Sequence, residues 1–181
     1  MADYTRTAVA LHWVGAALIA GNLAFGLYMV DLPLSPAKLR YYAWHKWAGV
    51  TIFLLSALRL SWWLFHSAPP LPSSLPPWQR KAANASHHLF YLLFFAAPLS
   101  GWLFSSAAGF QTVVFGVVPL PDLLSKSEEL ADVLKLVHLG ATYTLAALAV
   151  LHVAAAIKHH VVDLDDVLRR MLPFLAPRLD R

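Results

Sequence analysis

The chain has no cysteine among its 181 residues. Disulfides, thiolate-held iron–sulfur clusters and the C-x-x-C-H covalent attachment of haem are therefore excluded. Charge is scarce as well: 13% of residues are Asp, Glu, Lys or Arg, against about a quarter in soluble domains. The long apolar runs contain no Asp or Glu at all. That weighs against a proton pump or cation transporter, which commonly needs an intramembrane carboxylate. No internal repeat is visible, and nothing shows the period-two alternation of a membrane β-barrel.

What fills the chain instead is apolar. It is 59% hydrophobic, with a mean hydropathy of +0.57. Such a composition belongs to an integral membrane protein, and the length suits one domain, 1–181. Four runs approach or exceed the ~20 residues that cross a ~30 Å hydrocarbon core. They are expected at about 7–30, 42–65, 88–107 and 134–158. Backbone groups in lipid must be satisfied internally, so the expected fold is an all-α four-transmembrane-helix bundle. Seven Trp and six Tyr suit the belts where membrane meets water. The first run follows a short N-terminus and is long enough for a full span, so no removable signal peptide is expected.

The connections differ in character. Asp31–Tyr41 is short and holds Pro33 and Pro36, and His66–His87 contains Pro69, Pro70, Pro72, Pro76 and Pro77. Gly109–Val133 is the longest; its apolar part, Phe110–Leu120, is too short to span and is expected in the interface or dipping back. The tail at about 161–172 has Val161, Leu164, Val167, Leu168, Met171 and Leu172 at helical spacing, so an amphipathic surface helix is expected there. The net charge of +4 is read as a topology signal and not as a nucleic-acid surface. On the side of the termini lie Arg6, Arg80, Lys81, Lys158, Arg169, Arg170, Arg178 and Arg181; on the other lie Lys38, Arg40, Lys46, Lys126 and Lys135. Eight against five favours cytoplasmic termini.

The histidines carry the chemistry. His138 and His152 sit fourteen residues apart on one run. Fourteen helical residues turn through about 1400°, leaving the two side chains within about 40° of one another and roughly 21 Å apart along the axis. His45 lies near the outer end of the second run and His12 near the inner end of the first. The outer level thus holds His45 and His138, and the inner level holds His12 and His152. Ionisable residues inside a span are expensive and point to function. Low-spin haem iron takes two axial donors on opposite faces, which two neutral imidazoles satisfy. Two non-covalent b-type haems stacked across the bilayer are therefore expected. Zinc suits the set less well, because a tetrahedral site wants three or four ligands close together. Gly15, Gly21, Gly26, Gly49, Gly101, Gly140 and Ala141 leave room either for a porphyrin or for plain helix packing. His87 and His88 can occupy the headgroup zone, line a quinone pocket or replace an inner ligand. His66, His159 and His160 lie at or beyond span ends. Arg59, inside the second span, either snorkels to the interface or pairs with a haem propionate, and Lys46 raises the same question at the outer level.

The stretches Ala10-Leu11-His12-Trp13 and His45-Lys46-Trp47-Ala48-Gly49, with Arg59 downstream and the pair His138/His152, resemble prokaryotic cytochrome b561. The similarity covers about Tyr4 to Leu172. The resemblance implies a bacterial inner-membrane oxidoreductase with His12 paired to His152 and His45 to His138. It also implies ubiquinone as electron acceptor and superoxide, oxidised to dioxygen at the periplasmic side, as donor. The wider group includes cytochrome b anchors that relay electrons between a partner dehydrogenase or hydrogenase and the quinone pool, so a partner subunit is the alternative. Lys38, Arg40 and Lys46 cluster near His45 and are candidates for steering a small anion. Contact with lipid headgroups explains them equally simply.

Overall fold

The computed structural model describes residues 4–71 and 75–172. Pro72, Arg178 and Arg181 lie outside them. Four long helices dominate: α1 (Arg6–Val30), α2 (Pro36–Phe65), α3 (Pro77–Ala107) and α4 (Glu128–Val161). All four are long and apolar enough to cross a membrane. Between α3 and α4 lies a two-stranded antiparallel hairpin, β1 (Val113–Val114) and β2 (Val118–Pro119).

The helices start where local chemistry satisfies their free N–H groups. Thr5, Ser35 and Ser127 accept from the backbone N–H of Ala8, Lys38 and Leu130. Pro36 and Pro77 open α2 and α3 at positions whose missing N–H costs nothing. These signals lengthen three helices beyond the apolar runs. At 30, 31 and 34 residues, α2, α3 and α4 are about 45–51 Å long and project past a ~30 Å hydrocarbon core. Half of the proline-rich second connection is therefore helix.

Gly109 ends α3 with φ +77°, and the Phe110 N–H returns to the Ser105 carbonyl at 2.9 Å. The stretch 110–120 does not re-enter as a helix. It folds as the hairpin, turning through Phe115 (φ 52°) and Gly116 (φ 72°). The Trp47 indole N–H donates to the Val113 carbonyl at 2.7 Å, which ties the hairpin to α2.

The helices form a ring in chain order. α1 packs on α2, α2 on α3 and α3 on α4, whereas α1 and α4 barely meet and α2 and α4 make no close backbone approach. The apolar core comprises Leu93, Phe94 and Leu145, with Ile19, Leu23, Phe90, Tyr91, Ala141 and Leu148 around them. Leu145 is seven residues from both His138 and His152. The core thus lies between the two histidine levels.

The tail departs from expectation. After Val161 the chain makes turns and short helical bonds, with Leu164 at φ 55°, and no continuous helix runs over 161–172. The cause is charge capture. Lys158 Nζ bonds both Asp163 carboxylate oxygens at 2.6 and 2.7 Å, and His159 Nδ1 lies 3.0 Å from Asp163 and 2.8 Å from Asp165. These contacts pull the chain back onto the last turn of α4, and apolar spacing alone does not reveal them. The hydrogen bond from Lys158 holds the Asp163 carboxyl below its usual pKa of 3.8. A lowered folded pKa gives stability that is complete above the ordinary carboxyl range and lost as pH falls through the lowered value. Amide exchange in residues 161–168 should therefore be flat from neutral pH to about pH 5, then accelerate beyond its intrinsic rate in more acid solution. Asp163→Asn should abolish that acid-dependent acceleration.

Candidate functional site

At the hairpin end, His45 from α2 faces His138 from α4, with ring centres 6.3 Å apart. At the end nearer the termini, His12 from α1 faces His152 from α4 at 6.2 Å. Both pairs bridge helices whose backbones barely approach or do not approach. A metal-bound imidazole nitrogen lies about 2.0–2.1 Å from a first-row ion and the ring centre about 1 Å beyond it, so two imidazoles on opposite faces of one iron have ring centres roughly 6 Å apart. The observed separations match that value at both levels.

Each ring is held differently. His138 Nδ1 donates to the Ala97 carbonyl at 3.0 Å, with Ser100 Oγ 3.3 Å away. A proton fixed on Nδ1 leaves Nε2 bare for a metal. His45 Nδ1 is buried without a hydrogen-bond partner among the described residues. Behind it, Asn22 Nδ2 donates to the His45 carbonyl at 3.4 Å, while Asn22 Oδ1 is buried and unpartnered. Asn22 escaped the sequence reading; its signal was an amide in an otherwise apolar run. Gly26 and Gly101 give the rings clearance. A Cβ on Gly26 would sit 3.0 Å from His45 Cε1, and one on Gly101 would sit 3.0 Å from His138 Cε1. Gly15, Gly21, Gly49 and Gly140 face open space instead.

The other level is more crowded. The His87 ring centre is 6.1 Å from that of His152, as near as His12 is. Ring separation therefore does not choose between His12 and His87. His88 turns away and bonds the Asn84 carbonyl of its own helix. Arg59 Nη2 lies 3.2 Å from His12 Nδ1, and the guanidinium stands 5.9 Å over the Tyr91 ring. A guanidinium only donates, so His12 Nδ1 accepts here and the proton resides on Nε2. Iron binding through Nε2 needs the opposite tautomer. Ligation and the Arg59–His12 hydrogen bond thus exclude one another.

The basic cluster is largely engaged. Lys38 Nζ bonds the carbonyls of Val30 and Leu32, closing the end of α1. Lys46 Nζ bonds Ser105 Oγ at 2.7 Å and the Phe110 carbonyl at 3.1 Å, joining α2 to the end of α3. Arg40 is exposed.

Facing imidazoles at both levels, and at the hairpin end a bare or unpartnered nitrogen on each ring with glycine clearance beside it, fit b-type haem. The class is a four-helix membrane cytochrome. A model of prokaryotic cytochrome b561 matches residues 3–174, and the chain belongs to that family. It is 36% identical over 177 residues to cytochrome b561 homolog 2 of Escherichia coli (strain K12), covering 93% of this chain and 90% of the relative. It is 28% identical over 180 residues to a probable superoxide oxidase CybB of Yersinia pestis, covering 94% and 96%. It is 28% identical over 176 residues to cytochrome b561 homolog 1 of Escherichia coli (strain K12), covering 96% and 98%. Membership makes this a bacterial membrane electron-transfer protein with b-type haem.

Gly26→Val and Gly101→Val should each lower haem content per chain, because the added groups must displace His45 or His138. Gly21→Ala, whose Cβ meets nothing within 4 Å, should leave it unchanged. Pigment per purified chain is the measurement.

Proposed function

We propose that the chain holds two b-type haems, one gripped by His12 and His152 near the cytoplasmic surface and one by His45 and His138 near the periplasmic surface. Both termini then lie in the cytoplasm. The observation that carries the reading is the repetition of one imidazole–imidazole separation at two depths, 6.2 and 6.3 Å. Each haem, when bound, supplies a one-electron couple. The chain's part is to fix the donor nitrogens, exclude water and admit each substrate. In the reaction proposed, two superoxide anions each lose one electron at the outer face and leave as dioxygen. One ubiquinone takes the two electrons and two protons and leaves as the quinol.

Lys38, Arg40 and Lys46 steer the anion toward the outer level. In support, the Lys38 and Lys46 ammonium groups hydrogen-bond only neutral oxygens among the described residues and form no ion pair there, although the Asp122 carboxylate acts on Lys46 from a distance and offsets part of its charge. A positive mouth raises the encounter rate of a small anion, and salt screens the effect. The name of the Yersinia relative supports the superoxide half of the reading.

Haem analysis should find about two haems per chain, falling to about one when either member of a pair becomes alanine. One haem in the unaltered chain would sink the two-level reading. The isolated protein should catalyse superoxide-driven quinone reduction; an isolated chain that carries haem but lacks this activity is a relay subunit for a partner dehydrogenase. Arg40→Ser together with Lys38→Ser should lower the superoxide rate several-fold and flatten its salt dependence, roughly as expected for lost electrostatic steering. An unchanged rate would remove these residues from the mechanism.

A further inference from the structure

Two polar atoms inside the bundle lack partners at the same place. His45 Nδ1 and Asn22 Oδ1 are both buried without a hydrogen-bond partner among the described residues. The two residues are already joined elsewhere. Asn22 Nδ2 donates to the His45 carbonyl at 3.4 Å, and the Asn22 main chain stands close enough to act on the His45 ring. An amide oxygen only accepts, and a neutral imidazole whose Nε2 holds a metal only donates, through Nδ1. The two unmet atoms are therefore chemical complements. A bilayer offers neither of them water, so each carries a desolvation penalty until something pairs with it.

The opposite ring shows the completed arrangement. His138 Nδ1 donates to the Ala97 carbonyl at 3.0 Å, with Ser100 Oγ 3.3 Å away, and Gly101, four residues after Ala97, clears the ring. α1 repeats the spacing. Gly26, four residues after Asn22, clears the His45 ring; a Cβ there would sit 3.0 Å from Cε1 and 3.5 Å from Nδ1. Residues four apart share a helix face, so on both helices a glycine admits the ring and the residue one turn before it lies beside that ring. α3 meets Nδ1 with a backbone oxygen. α1 carries a carboxamide at the matching place, and between Val14 and Leu27 it is the only polar side chain on the helix.

We propose that Asn22 is a positioning residue for the outer haem: its side-chain oxygen accepts the Nδ1 proton of His45 when Nε2 holds the iron, while its NH2 group keeps the His45 carbonyl. The inference rests on the His45/His138 pairing given above. One residue then fixes both the tautomer of the ring and the part of α2 that carries it. An acceptor behind a ligand imidazole makes the ring a stronger donor and stabilises the ferric state of the iron it binds. With Ala97 behind His138 and Asn22 behind His45, both rings of this level are supplied in the same way. The other level is built in the opposite sense, because Arg59 presents a donor to His12 Nδ1. Asn22 thus lowers the reduction potential of the outer couple alone.

The test uses the haem-loaded protein, with haem content, redox titration and ferric EPR as readouts. The ring planes cross at 89° in the His45/His138 pair and at 55° in the His12/His152 pair, so the two haems should give distinct low-spin signals. His45→Ala, which removes the outer haem, identifies its signal. In Asn22→Leu, a close match in size, the outer midpoint potential should rise while the inner one stays, with haem content unchanged. In Asn22→Asp, which keeps the oxygen, the outer potential should lie at or below that of the unaltered protein. An outer potential that falls in Asn22→Leu would mean that the side chain only excludes water, and would overturn the role. An unmoved potential would leave the Nδ1 proton with a backbone carbonyl, as at His138, and would overturn it too. Equal shifts at both haems, or loss of the outer haem in both Asn22 variants, would reduce Asn22 to packing. A single haem in the unaltered protein would remove the outer pairing together with this inference. Both haems present, with potentials that ignore Asn22, would remove the inference alone.

Discussion

A ring nitrogen inside a bilayer has no water to bond, and most of this structure follows from how four imidazoles meet that constraint. His138 solves half of it with a backbone carbonyl of α3 and keeps its other nitrogen bare. His45 has no polar partner for Nδ1 among the described residues. An unmet buried polar atom costs about 1–3 kcal/mol, so its presence marks a site where something other than packing sets the arrangement. The helices that carry each pair stand apart, and the apolar core around Leu145 fills the level between them.

Cations show a second asymmetry. At the hairpin end the ammonium groups of Lys38 and Lys46 fold onto carbonyl and hydroxyl oxygens and fasten helix ends together. At the other end Arg59 spends its donors on a neutral imidazole and the face of Tyr91. The first arrangement is complete in itself. The second depends on which tautomer His12 adopts, and so couples a spanning cation to the state of a neighbouring ring.

The tail shows how charge overrides periodicity. Its apolar residues recur at helical spacing, yet two carboxylates lie within reach of Lys158 and His159 at the end of α4. Capture of Asp163 and Asp165 draws the chain back on itself, and Leu164 takes a left-handed conformation between them. The same fold-back brings Met171 to Trp13. A straight surface helix from 161 would have separated them.

By itself the sequence determined the four spans, their order, the absence of thiol chemistry and the depths of His12, His45, His138 and His152. Length, composition and the 3.6-residue repeat are local properties, and the bilayer makes them decisive. It did not determine the helix ends, because Ser35, Pro77 and Ser127 act through cap geometry outside the apolar runs. Which glycines touch a ring was also beyond it: Gly26 and Gly101 do, and Gly15, Gly21, Gly49 and Gly140 do not, a distinction set by rotation of whole helices. Only the tertiary structure brought Asn22 behind His45, His87 beside His152 and Arg59 between His12 and an aromatic cavity. Those contacts join residues far apart in the chain, and their geometry depends on how the helices turn toward one another.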